Sequence, residues 1–93
     1  TSIAPYRGGD LLVLCHLGRK LVALDAAGRI LSEIDGPGDG GRFLSPNDSH
    51  ADGRGGVYFS DPGAFARGAP ANGALYRVAP DGRVERMLQG LRY

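Results

Sequence analysis

Short apolar or alternating runs separated by glycine- and proline-containing turns organise the whole chain. Asp10 to His16 is apolar and rich in β-formers, Lys20 to Asp25 alternates, Ala26-Ala27-Gly28 turns, and Arg29 to Ile34 alternates again with Ile30, Ser32 and Ile34 on one face. The scheme then returns. Gly56 to Ser60, Ala74 to Ala79 and Arg83 to Leu88 form a second strand, strand, strand set, with Pro80-Asp81-Gly82 as its hairpin turn. Asn47 to Ala51 reads as one more strand ahead of this second set. No periodic stretch between the breakers is long enough for a substantial helix, so the pattern predicts an all-β chain of seven or eight short strands with no helix longer than one turn.

The two sets are copies of one unit. Leu21, Gly28, Arg29 and Gly36 recur 54 positions later as Leu75, Gly82, Arg83 and Gly90. Upstream, the run from Asp10 matches the run from Gly56 at a shift of 46, so eight extra residues lie within Asp61 to Gly73. A repeat of about 46 residues is the size of a four-stranded propeller blade, roughly 40 to 50 residues. The expected division is a first blade with its connector over residues 1–44 and a second blade over 45–93. Sheets of this kind close radially with further blades, because open edges and bare apolar faces are costly. The faces carrying Leu12, Leu14, Val57 and Phe59 are expected to need such neighbours, from the same polypeptide or from other copies of it.

Composition sharpens this reading. Sixteen Gly and six Pro against one Met and no Trp suit a turn-rich chain and not a helical bundle. Cys15 is the only cysteine, which excludes an internal disulfide and a Cys/His zinc cluster. Eleven Lys+Arg and ten Asp+Glu are interleaved, leaving a net charge of +1 and no basic stripe, so nucleic acid is not an expected partner. No apolar run approaches the roughly 20 residues that span a bilayer, and a soluble chain is expected. Nucleophile-elbow, phosphate-loop and zinc-protease motifs are all missing from the sequence. Asp39, in Gly36-Pro37-Gly38-Asp39-Gly40-Gly41, lacks the spacing of a calcium loop and reads as a connector between blades.

The segment with the most chemistry runs from Ser45-Pro46-Asn47-Asp48 through Asp52-Gly53-Arg54-Gly55 to Tyr58-Phe59-Ser60-Asp61-Pro62. It resembles the Pro-Asn-Asp, Asp-x-x-Gly and Tyr-Phe-Thr-Asp-Pro pattern of the gluconolactonase and senescence-marker (regucalcin-like) family, and the likeness extends over about Gly9 to Tyr93. The resemblance implies a six-bladed β-propeller, of which this chain is about two blades. It also implies one divalent cation, Ca²⁺ or another, at the head of the central channel, and hydrolysis of a small-molecule lactone or related ester. In that family the Asn of Pro-Asn-Asp belongs to the metal site, a role that falls here on Asn47. The family's other ligands, a Glu in an early blade, an Asn in a later Pro-Asn-Gly and a further Asp, have no counterpart in this chain.

Each candidate also has a plainer reading. An amide oxygen such as that of Asn47 suits a hard cation, while Asn after Pro is also an ordinary turn residue. Asp48 is expected either as a carboxylate that orients the metal site or activates water, or as a strand-start residue. In an up-and-down blade the connection into the innermost strand and that between the second and third strands share one face. Asp61 and the loop from Pro62 to Asn72 should therefore overhang the channel mouth beside Asn47, with His16 in the matching place of the preceding blade. Asp61 serves equally as a cap of its own turn, and His16 as a solvated turn residue. His50, two residues after Asp48, points either to the channel or into blade packing. Two other functions fit a propeller scaffold: a non-catalytic binding protein and a strictosidine-synthase-like lyase.

Overall fold

The computed structural model describes residues 2–38, 41–62 and 73–91. Asp39 and most of the expected long loop, residues 63–72, lie outside the described residues. Eight strands follow one another: β1 (Ser2–Tyr6), β2 (Asp10–Cys15), β3 (Lys20–Leu24), β4 (Ile30–Ile34), β5 (Ser49–Ala51), β6 (Val57–Asp61), β7 (Gly73–Val78) and β8 (Val84–Leu91). They make two four-stranded antiparallel meanders, β1-β2-β3-β4 and β5-β6-β7-β8. Each is one propeller blade. The one helical turn among the described residues is Arg7–Gly9, and no helix there is long and apolar enough to cross a membrane.

Two differences from the sequence reading matter. The first blade has four strands and not three, because Ser2–Tyr6 pairs with β2 from Ser2↔Leu14 to Tyr6↔Asp10. Its Ser-Ile-Ala-Pro-Tyr sequence contains a proline, which argues against a strand on composition. Pro5 is tolerated because β1 pairs on one side only, at the edge of its sheet. The second difference is in β4: a register shift sets Leu24 against Ile30 while Ala23 stays opposite Ser32. The bulge at Leu31 turns Ile30 onto the opposite face from Ser32 and Ile34, as one extra residue does to any strand of period two.

The blades pack face to face. Ala4, Tyr6, Leu12, Leu14, Leu21 and Ala23 from the first form one core with Val57, Phe59, Ala74, Tyr76 and Val78 from the second, and Phe43 of the connector joins them. Leu12, Leu14, Val57 and Phe59, expected to lack neighbours, thus cover one another. The bare surfaces are the reverse faces: Ile3 and Ile30, each 64% exposed, with Leu11 on the first sheet, and Tyr58 and Leu88 on the second. The parity was hidden because Leu11 to Leu14 is apolar at every position, as in strands buried on both sides.

Polar contacts fasten the same interface. The Tyr6 hydroxyl donates to the Ala79 carbonyl at 2.7 Å in the buried core, and that burial raises the Tyr6 pKa. The Arg7 guanidinium reaches the Pro80 carbonyl at 2.8 Å, the Arg7 N–H donates to the Gly55 carbonyl at 3.0 Å, and the Ser2 and Ser49 hydroxyls meet across the inner strands. Gly55 has φ 86°, and a Cβ there would stand 3.2 Å from Pro80, so glycine allows both the backbone turn and the close approach of the blades.

The Asp-x-x-Gly turn of the second blade is held by its aspartate. Asp52 Oδ1 accepts the N–H groups of Arg54 and Gly56, and Oδ2 receives Nε and Nη2 of Arg77 at 2.9 and 2.8 Å. The Asp52 side chain is only 5% exposed. These bonds, the Arg54 N–H foremost and then the Arg77 guanidinium, hold its pKa below the ordinary 3.8. The backbone N–H groups of its own turn lower Asp25 in the same way, that of Arg29 most. A carboxylate depressed in the folded state adds stability that is complete above its unfolded pKa and is lost as pH falls through its folded pKa. The melting temperature should therefore hold steady down to about pH 5 and fall between about pH 4 and 2. Asp52→Asn should melt lower at neutral pH and show a shallower acid fall, which scanning calorimetry across pH measures directly.

Candidate active site at the head of the inner strand

Asn47 and Asp48 stand just before β5 and not inside it, so the strand expected over Asn47 to Ala51 is shorter by two residues. Nothing in a regular ladder fixes them, and their placement comes from the end of β6. The Asn47 N–H donates to the Ser60 carbonyl at 3.0 Å, and the Ser60 N–H donates to the Asp48 carbonyl at 2.9 Å. The Asp48 N–H reaches the Ser60 hydroxyl at 3.3 Å. One step earlier, Asp61 Oδ2 accepts the Leu44 N–H and Oδ1 the Ser45 N–H, both at 2.8 Å. Pro46 between them is fully buried.

This geometry settles where the candidates sit. The Asn47 side chain is half-buried and Asp48 is exposed; among the described residues none hydrogen-bonds the Asn47 carboxamide. Asp61 is 2% exposed, and its carboxylate accepts the Leu44 and Ser45 N–H groups of the connector, a cap of a distant loop where a cap of its own turn was one expectation. His16 is half-buried in the turn after β2, at the Ser2 end of the first blade. His50 pairs with Tyr58 and is exposed, on the reverse face from Ser49 and Phe59, and so away from the first blade. The structure brings together Asn47, Asp48, Ser60 and Asp61, and leaves His50 apart.

One contributor carried no signal in the sequence. Arg19, in the turn that follows His16, adopts φ 58°, rare for a side-chain-bearing residue, and its Nε donates to the Phe43 carbonyl at 2.9 Å. The first blade thereby grips the connector just before the Pro46-Asn47-Asp48 segment.

Among the described residues no three His, Cys, Asp or Glu side chains gather as a metal site. Asn47 and Asp48 offer an amide and a carboxylate oxygen, donors that fit a hard divalent cation and fill only part of the six to eight positions Ca²⁺ takes. They fit as one wall of a site and not as a whole one.

A family sequence model described as the SMP-30/Gluconolactonase/LRE-like region matches residues 1–93. The chain belongs to this SMP-30/Gluconolactonase/LRE-like family. Comparisons with curated proteins and with solved structures found no match. The family is one of β-propellers with gluconolactonase-like function, in agreement with the two stacked meanders. The resemblance carried by Pro46-Asn47-Asp48 and Tyr58-Phe59-Ser60-Asp61-Pro62 is therefore one of true membership, and the two segments that carry it are those that bond to each other.

Proposed function

We propose that these two blades contribute to the active centre of a metal-dependent hydrolase acting on lactones or related esters. The observation that carries the reading is the fixed backbone of Asn47 and Asp48 beside a carboxamide that no described residue engages, in a chain of this family. Asn47 would hold a Ca²⁺-type cation through its amide oxygen. When bound, such a cation supplies Lewis-acid polarisation of the ester carbonyl. Asp48, exposed at the same point, takes the proton of the attacking water as its oxygen bonds to the carbonyl carbon. The ring C–O bond then breaks, and the proton passes to the departing alkoxide, giving a hydroxy acid.

The remaining ligands and the pocket walls come, on this reading, from further blades against the bare faces around Ile3 and Ile30 and around Tyr58 and Leu88. The complete protein should hydrolyse a sugar-type γ- or δ-lactone with added Ca²⁺, and a chelator should remove the activity reversibly. Binding of a lactone without turnover, whatever cation is added, would support the non-catalytic propeller instead.

A further inference from the structure

We propose that Asp61 and Ser60 are positioning residues of this centre, acting through Asn47 and Asp48 without touching substrate or cation. The inference rests on the hydrolase reading. From Leu44 to Asp48 the backbone has four N–H groups, since Pro46 has none. All four end on the last two residues of β6: Leu44 and Ser45 on the Asp61 carboxylate, Asn47 on the Ser60 carbonyl and Asp48 on the Ser60 hydroxyl. This stretch precedes β5 and has no strand ladder of its own. Its course is therefore dictated by one buried carboxylate and one serine.

The chemistry of Asp61 explains why an acid is needed. Two backbone donors converge on it from neighbouring residues, and an ionised carboxylate is acceptor-only, with an oxygen for each. Bonds from N–H to a carboxylate are also among the stronger ones available to a loop. An amide in its place keeps the shape but turns an NH₂ group toward one of the two N–H donors. That donor–donor contact pushes the chain away at Leu44 or Ser45, two or three residues before Asn47. Supporting contacts of this kind around metal ligands cost about 10- to 100-fold in affinity or activity when removed.

The test is a double-mutant cycle on the complete protein, with Ca²⁺ affinity by calorimetry and lactone kcat and KM, all measured below the melting transition of every variant. Asp61→Asn should weaken Ca²⁺ about tenfold or more and lower kcat by a similar factor. Combined with Asn47→Ala, it should add almost nothing further to the loss of Ca²⁺ affinity, because both changes remove the same contact. Independent, additive losses would overturn the proposal, as would an Asp61→Asn protein that binds Ca²⁺ like wild type while Asn47→Ala does not. Should Asp61→Asn fail to fold, Ser60→Ala, which removes only the hydroxyl under Asp48, carries the test with an expected loss of about two- to fivefold. Affinity and kcat equal to wild type in Ser60→Ala would then overturn it. A normal affinity in Asn47→Ala alone is a different result, and it removes the hydrolase reading on which the proposal stands.

Discussion

Phe43→Ala should destabilise the two-blade unit by about 3–5 kcal/mol, the usual cost of emptying a buried aromatic site. Phe43 lies in the connector between β4 and β5 and is fully buried. Its ring stands edge-on to Phe59, with centroids 5.3 Å apart, and to Tyr76 at 5.4 Å, while Phe59 and Tyr76 stack on each other at 5.3 Å. Each edge-on pair contributes roughly 0.5–1.5 kcal/mol beyond its buried area. The backbone of Phe43 is held at both ends, its N–H by the Asp35 carbonyl at 3.1 Å and its carbonyl by Arg19, so the loop cannot easily collapse into the cavity. A loss of this size is a large part of the 5–15 kcal/mol that keeps a typical domain folded. Denaturant unfolding followed by near-ultraviolet circular dichroism should show a much lower midpoint for Phe43→Ala and a small shift for Phe43→Leu. A Phe43→Ala midpoint equal to wild type would mean that the connector does not bind the blades together.

Much of this architecture was legible because turns in a propeller blade are written in side chains. Asp25 with Gly28 and Asp81 with Gly82 mark the two equivalent hairpins, and the Asp side chain in each case accepts a backbone N–H two residues on. The repeat between them then gave the blade. The facing of the strands was not legible because they lack a polar face. Leu11 to Leu14 is apolar on both sides, and so is Leu21 to Leu24 within the run from Lys20 to Asp25, so the pattern there does not say which side meets the second blade. The contribution of Ser2–Tyr6 was invisible for the same reason that Pro5 is tolerated, since edge pairing needs bonds on one side only.

The site was legible as a motif and not as a mechanism of support. Pro46-Asn47-Asp48 and Ser60-Asp61 are separated by twelve or more residues in the chain, and only the β5-β6 hairpin brings them together. Asp61 therefore reads in the sequence as a residue of the channel mouth or a cap of its own turn, while the N–H groups its carboxylate accepts are those of Leu44 and Ser45, far away in the chain. Arg19 had no signal at all, because its role depends on a left-handed backbone and on a carbonyl 24 residues away.

The claim that Asn47 faces a hard cation is open to one direct measurement: calorimetric titration of the complete protein and its Asn47→Ala variant with Ca²⁺. Alanine removes the amide oxygen and leaves the Asn47 N–H bond to the Ser60 carbonyl intact, so the loop should keep its course and only the ligand should be lost. A cation with six to eight oxygen positions that exchanges a fixed protein ligand for water is expected to dissociate more readily, here by about 10- to 100-fold or more. The heat of binding should shrink in parallel, with the melting temperature of the cation-free protein nearly unchanged. Ca²⁺ binding of equal affinity and heat in the two proteins would place Asn47 outside the coordination shell and contradict the assignment.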